Sequence, residues 1–182
     1  MSKHWQKEVT NHEPTQLYYE KLVELIQRFK PETVLEVGTG WGVSGSAFME
    51  NGVKRLVTID ASTNPEYLET AKKEIELKLG LDQVVEYKWM RSREFFKNNS
   101  EKFDLIYIDG DHGYAGCKAD LEAALECLKP GGHIIMDDYM HRGNYIDGNE
   151  CRVAQAAREV IIEKRLAATM EPHNKENGFL II

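Results

Sequence analysis

Short runs of β-branched and apolar residues alternate along the chain with stretches whose apolar positions recur every three or four residues. That alternation predicts a mostly parallel sheet covered by helices on both faces. Seven strands are expected, at Thr33–Val37, Arg55–Asp60, Val84–Trp89, Phe103–Asp109, His133–Asp138, Ala168–Glu171 and Gly178–Ile182. Helices are expected at Pro14–Phe29, Val43–Glu50, Pro65–Leu79, Ser92–Lys97, Tyr114–Leu128 and Asn149–Leu166. Punctuation sets several ends: Pro65 after Asn64 is a cap followed by proline, Gly80 closes that helix, and Lys129-Pro130-Gly131-Gly132 stops the helix ending at Leu128. Only residues 172–177 separate the last two strands. That is too short for a crossover helix, so these two strands should form an antiparallel hairpin. The fold class expected is therefore α/β, a single doubly wound seven-stranded sheet with an antiparallel carboxy-terminal hairpin.

A chain of 182 residues, 42% of them hydrophobic, supports one sizeable core rather than two domains. Residues 1–13 are polar and aperiodic and are expected to be a flexible segment or flap, leaving 14–182 as the domain. The formal net charge of −7 offers no basic face for phosphates or anionic lipid, so neither nucleic acid nor membrane is expected as a partner. The first residues carry no apolar run of the signal-peptide kind, and no later stretch has the length of a spanning helix. A cytoplasmic protein is expected. Cys117, Cys127 and Cys151 are odd in number and lack metal-finger spacing, as reduced cytosolic thiols would.

The first strand runs into Glu36-Val37-Gly38-Thr39-Gly40-Trp41-Gly42-Val43-Ser44-Gly45, a glycine-rich turn that opens a helix. Glycines there permit positive φ and let a ligand lie against the backbone, with helix N–H groups directed at it. A dinucleotide fingerprint would place its third glycine at position 43, which is Val43. Glu36, two residues ahead of the first glycine, would repel a pyrophosphate but suit a phosphate-free ligand carrying an ammonium group, as S-adenosylmethionine does. Asp60 closes the second strand, where an acid can accept hydrogen bonds from both hydroxyls of a ribose or simply cap a loop. Arg91 and Ser92 follow the third strand at the rim where ligands of open sheets bind. Ser92 either reaches an adenine or caps the next helix, and Trp41 either shields a ligand or packs. The candidate cofactor contacts are thus Glu36, Gly38, Thr39, Gly40, Trp41, Gly42, Ser44, Asp60, Ala61, Ser62, Arg91, Ser92 and Asp109.

Asp109 ends the fourth strand and Asp137-Asp138 end the fifth, so adjacent strands deliver three carboxylates to the rim that carries the glycine loop. Uncompensated carboxylates this close repel each other unless a cation sits between them. Oxygen-only ligands of this kind suit Mg²⁺ or Ca²⁺ better than zinc. The alternative leaves Asp109 to orient a ligand ammonium while Asp137 and Asp138 are solvated. His112, three residues past Asp109, is a candidate general base, and His141 is a weaker second.

The segments Ile108-Asp109-Gly110-Asp111-His112-Gly113-Tyr114, Asp120-Leu121, Leu128-Lys129-Pro130-Gly131-Gly132-His133-Ile134 and Asp137-Asp138-Tyr139 resemble the class I S-adenosylmethionine-dependent methyltransferases, over about residues 33–182. Within that class the pattern is also similar to the metal-dependent O-methyltransferases of catechol type and macrolide-sugar type. There a strand-four aspartate and two residues ending strand five bind Mg²⁺. Catechol-type enzymes place lysine at the position of His112 and asparagine at that of Asp138, so the Asp-Asp pair stands nearer the sugar-modifying group. The resemblance implies a Rossmann-like domain in which Gly38, Gly40 and Gly42 line S-adenosylmethionine, Asp60 holds its ribose, and Asp109, Asp137 and Asp138 hold Mg²⁺ or a similar divalent cation. It implies methyl transfer to a hydroxyl of a small molecule or sugar, with Asp109 and His112 catalytic. Methylation of nitrogen or carbon without metal, another enzyme class on this scaffold, and a non-enzymatic cofactor-binding module stand as alternatives. The short cover over the strand ends suggests an open site or one completed by a second copy, so a homodimer is expected.

Overall fold

Strand β1 (Thr33–Val37) shows how the chain builds its layers. Val34 packs into one apolar cluster and its neighbours Leu35 and Val37 into another, as the two-residue period of a strand requires. The computed structural model describes residues 13–141 and 150–182. The other strands are β2 (Arg55–Asp60), β3 (Val84–Trp89), β4 (Phe103–Ile108), β5 (Leu128–Met136), β6 (Thr169–Pro172) and β7 (Gly178–Ile181). They lie in one sheet in the order β3-β2-β1-β4-β5-β7-β6. All pairings among the first five strands are parallel, and β7 runs antiparallel to both β5 and β6. The expected hairpin is present.

Helices α1 (Glu13–Phe29), α2 (Val43–Glu50) and α3 (Pro65–Glu76) cover one face. There Leu22, Leu25, Phe48 and Ile75 meet Val34, Leu56, Leu105, Tyr107 and Phe179. Helices α4 (Ser92–Asn98), α5 (Tyr114–Cys127) and α6 (Val153–Lys164) cover the other, with Leu121, Ala124, Ala157 and Val160 against Leu35, Val57, Ile106 and Ile134. Burial of each such Leu, Ile or Phe contributes about 1.5–3 kcal/mol, so the two layers hold the strand ends in place. No helix among the described residues is long and apolar enough to cross a membrane.

Several boundaries differ from expectation for identifiable reasons. Helix α3 stops at Glu76, and after the exposed Leu77 the amides of Lys78 and Leu79 bond carbonyls only three residues back, so the helix tightens into turns ahead of Gly80. Helix α5 ends at Cys127 and Leu128 is already extended. Strand β5 therefore begins there and carries Pro130-Gly131-Gly132 through a register shift against β4. Asp109, Asp137 and Asp138 lie just beyond the last strand residues, yet the amide of Asp109 still bonds the Val37 carbonyl at 2.8 Å and that of Asp137 bonds Ile108 at 3.0 Å. The expected flexible segment lies outside the described residues except for Glu13, which is already part of α1, and of the helix expected from Asn149 the described residues are helical only from Val153.

Candidate active site

The strand order reverses between β1 and β4, which opens a crevice at their carboxy-terminal ends. The glycine loop forms its floor. Gly38 sits at φ 98°, and a Cβ there would lie 2.0 Å from the Asp109 carbonyl oxygen, so only glycine lets the turn after β1 press against the end of β4. The amides of Gly38 and Thr39 both bond the Ile59 carbonyl. The Asp60 carboxylate accepts from the Gly40 amide at 3.1 Å and from the Ser62 amide at 2.8 Å, tying the loop to the turn after β2 that contains Ala61. Gly42 caps α2. Trp41, half exposed, stands edge-on to Tyr67 at 4.6 Å and walls one side of the loop.

Glu36 lies beneath this loop, fully buried, and accepts hydrogen bonds of 2.5 Å from the Ser44 and Thr58 hydroxyls. Burial above all, with the nearby charges of Asp109 and Asp60, pushes its carboxyl up to about 8 against the pull of those hydroxyls. At neutral pH it is mostly uncharged and braces the start of α2. Ser92 opens α4, with Arg91 at the cap position and no capping bond from its side chain. Asp120 of α5 is buried, and burial pushes its carboxyl up to about 6 against the pull of the Ser92 hydroxyl.

Opposite the loop, Asp109, His112 and Asp138 converge. His112 Nε2 lies 3.1 Å from Asp109 Oδ1 and 3.3 Å from Asp138 Oδ2, and one ligand atom from each residue falls within 4.8 Å of the others. Their side chains are 15–30% exposed, open enough to meet a ligand. The Arg152 amide bonds the His112 carbonyl and fixes the turn from α6. Burial raises Asp109 to about 7, and the charges of Asp137 and Asp138 add to this while the bond to His112 opposes it. Burial alone would lower the His112 imidazole, but Asp109, Asp138 and Asp137 outweigh it and hold the ring above the usual histidine range.

Asp137 is not part of this convergence. Its carboxylate is buried and turns toward Tyr107, whose hydroxyl donates to it at 3.1 Å, and toward His173 Nε2 at 3.5 Å. The Tyr107 hydroxyl also meets that of Tyr18 at 2.7 Å. The sequence reading did not single out Tyr18, Tyr107, His173 or Asn177. A tyrosine on the apolar face of β4 was the one signal available. The structure thus brings together two of the three aspartates expected at a metal, and adds His112. Two carboxylate oxygens and an imidazole nitrogen, negatively charged overall and open on one side, form a donor set that fits a divalent cation such as Mg²⁺ or Mn²⁺.

Residues 35–139, which run from β1 to just past Asp138, match the family model described as a methyltransferase domain. The chain belongs to this family. A candidate O-methyltransferase of Mycobacterium sp. (strain JLS) is 32% identical over 151 residues, 78% of this chain. The chain spans just under two thirds of that protein, 66% of its length. Among solved structures, the O-methyltransferase from Bacillus cereus in complex with SAH superposes with a TM-score of 0.67 at 26% identity, over 90% of this chain and 78% of that one. An SAH-bound methyltransferase from Podospora anserina superposes with a TM-score of 0.74 at 19% identity, over 98% and 85% of the two chains, a likeness of fold. The matched stretch of the methyltransferase domain contains both halves of the crevice. Helix α6 and the β6–β7 hairpin, which close over Asp138, lie outside it.

Proposed function

We propose that this methyltransferase-domain protein transfers a methyl group from S-adenosylmethionine to a hydroxyl of a small-molecule acceptor, with a divalent cation held by Asp109, Asp138 and His112. The observation that carries the reading is the convergence of those three side chains across a crevice from the glycine loop. The SAH found with the Bacillus cereus relative supports the choice of cofactor. Asp60, already accepting from two loop amides, keeps lone pairs for ribose hydroxyls. A sulfonium and an oxyanion lose charge together as the methyl moves, so the protein's task is to align them and to supply the oxyanion. A bound cation would lower the pKa of the acceptor hydroxyl. Asp109 and Asp138 would orient it, and the walls of the crevice would keep water from competing.

A second reading is favoured by the 3.1 Å bond between His112 and Asp109. Without metal, neutral His112 would take the acceptor proton directly, and the two carboxylates would stabilise the imidazolium that this forms. The acceptor would enter the cavity whose lining begins at Tyr139, the residue after Asp138, and includes Met140, His141, Arg158, Lys175 and Glu176. A cytoplasmic enzyme acting on neither nucleic acid nor membrane fits the net charge of −7 and the free thiols of Cys117, Cys127 and Cys151.

The test is incubation with S-adenosylmethionine and a panel of catechols and sugar nucleotides, with products read by mass spectrometry. O-methylated product that disappears with EDTA and returns with Mn²⁺ or Mg²⁺ is the expected result. Activity that survives EDTA selects the metal-free reading, and failure to bind S-adenosylmethionine by calorimetry overturns both.

A further inference from the structure

The amide of Asn177, at the end of the β6–β7 turn, donates to Asp138 Oδ1. We infer that Asn177 is a positioning residue which fixes one oxygen of Asp138 so that the other faces the cation site.

Asp138 cannot set its own direction from the sheet. It lies beyond the last residue of β5 and adopts φ 57°, a left-handed conformation rare for a residue with a side chain. Its backbone is held from several directions. Its own amide bonds Asp137 Oδ1 at 2.7 Å, its carbonyl accepts from the His141 amide at 3.1 Å, and the following Tyr139 amide bonds the Gly178 carbonyl at 3.2 Å. The carboxylate is tied in turn through Oδ1, which accepts from the Asn177 amide.

Asn177 is itself a rigid donor. Its Oδ1 accepts from the Gly178 amide at 2.8 Å, which turns its NH₂ toward Asp138. Its backbone amide bonds Asn174 Oδ1 at 2.7 Å, and its carbonyl accepts from the amides of His173 and Asn174, each at 3.2 Å. With Oδ1 occupied, Asp138 presents Oδ2 to His112 Nε2 at 3.3 Å, where one ligand atom completes the three-residue set. A neutral amide does this without adding a third negative charge to the rim, as aspartate at 177 would. Partners that orient a metal ligand in this way typically matter about 10–100-fold in metal affinity.

The inference rests on the metal-assisted reading, and the test separates the two. Mn²⁺ is titrated calorimetrically into the full chain, wild type and Asn177→Ala, alongside SAH affinity and thermal unfolding. Asn177→Ser, whose hydroxyl can still accept from the Gly178 amide but is too short to reach Asp138, serves as the milder variant. Expected is Mn²⁺ binding by the wild type, weakened about tenfold or more in both variants with SAH affinity unchanged within about twofold. Equal Mn²⁺ affinity in wild type and variants would overturn the positioning role alone. Parallel loss of SAH and Mn²⁺ binding would make Asn177 merely structural and overturn it too. A wild type that binds no Mn²⁺ would overturn the metal reading and this inference with it.

Discussion

Replacing Gly38 with alanine puts a methyl group where the end of β4 already is. The added carbon would lie 2.0 Å from the Asp109 carbonyl oxygen and 2.6 Å from its carbon, both backbone atoms that cannot swing aside. The residue would also hold φ 98° with a side chain. The left-handed conformation costs about 1–2 kcal/mol, and relieving the overlap costs about 1–3 kcal/mol more. Gly131 supplies the control: it has φ 79°, but a Cβ there meets nothing within 4 Å. Gly131→Ala should therefore show only the conformational cost, about 1–2 kcal/mol. Urea denaturation of both variants measures the difference, read as a shift in midpoint at constant slope. The structure also says where the overlap must be relieved. Asp109 is the group pushed, and its amide is anchored to Val37 at 2.8 Å, so β1 and β4 must part at the crevice. Gly38→Ala should accordingly weaken SAH and Mn²⁺ binding, while Gly131→Ala leaves both intact. If the two variants lose equal stability and keep equal affinity, the close packing of the loop on Asp109 is refuted.

Three further outcomes are expected. His112→Ala should lower turnover about 100-fold or more with SAH affinity unchanged; equal loss in both would remove His112 from the chemistry. Glu36→Gln should flatten the pH dependence of stability: the folded carboxyl titrates at about 8, above its unfolded value of 4.5, so folding retains a proton and the wild type loses stability as pH rises between those values. Urea midpoints taken across that window should show the variant gaining on the wild type, and a constant difference would argue against a buried, protonated Glu36. Tyr107→Phe should cost about 1–3 kcal/mol in denaturation, because it strips the bond to Asp137 and the contact with the Tyr18 hydroxyl from a buried site. A neutral substitution would show that the Asp138 amide and His173 hold Asp137 without Tyr107.

Much of this molecule was legible before any coordinates. Short apolar runs such as Thr33–Val37 and Phe103–Ile108 dictate strands, because a half-turn per residue sends successive apolar side chains to opposite layers. The six residues after Glu171 dictate a hairpin, since no helix fits between the strands they join. The glycine turn after β1 and the acids after β4 and β5 mark the ligand rim, because the carboxy-terminal ends of a doubly wound sheet share one edge.

Side-chain direction at that rim was not legible. Asp137 and Asp138 are neighbours in sequence and read alike, yet one is buried against Tyr107 and His173 while the other faces His112. The strand period stops with the last ladder residue, Asp138 turns left-handed, and its carboxylate meets the amide of Asn177, 39 residues later. Glu36 shows the same limit. Its position ahead of the glycines follows from the sequence, but its protonation follows from α2 and β2 closing over it. The chain by itself determined which segments end at the crevice, since that depends on local period and strand ends. Tertiary packing alone decided which of them face a ligand and which carry charge, since both depend on contacts made across the fold.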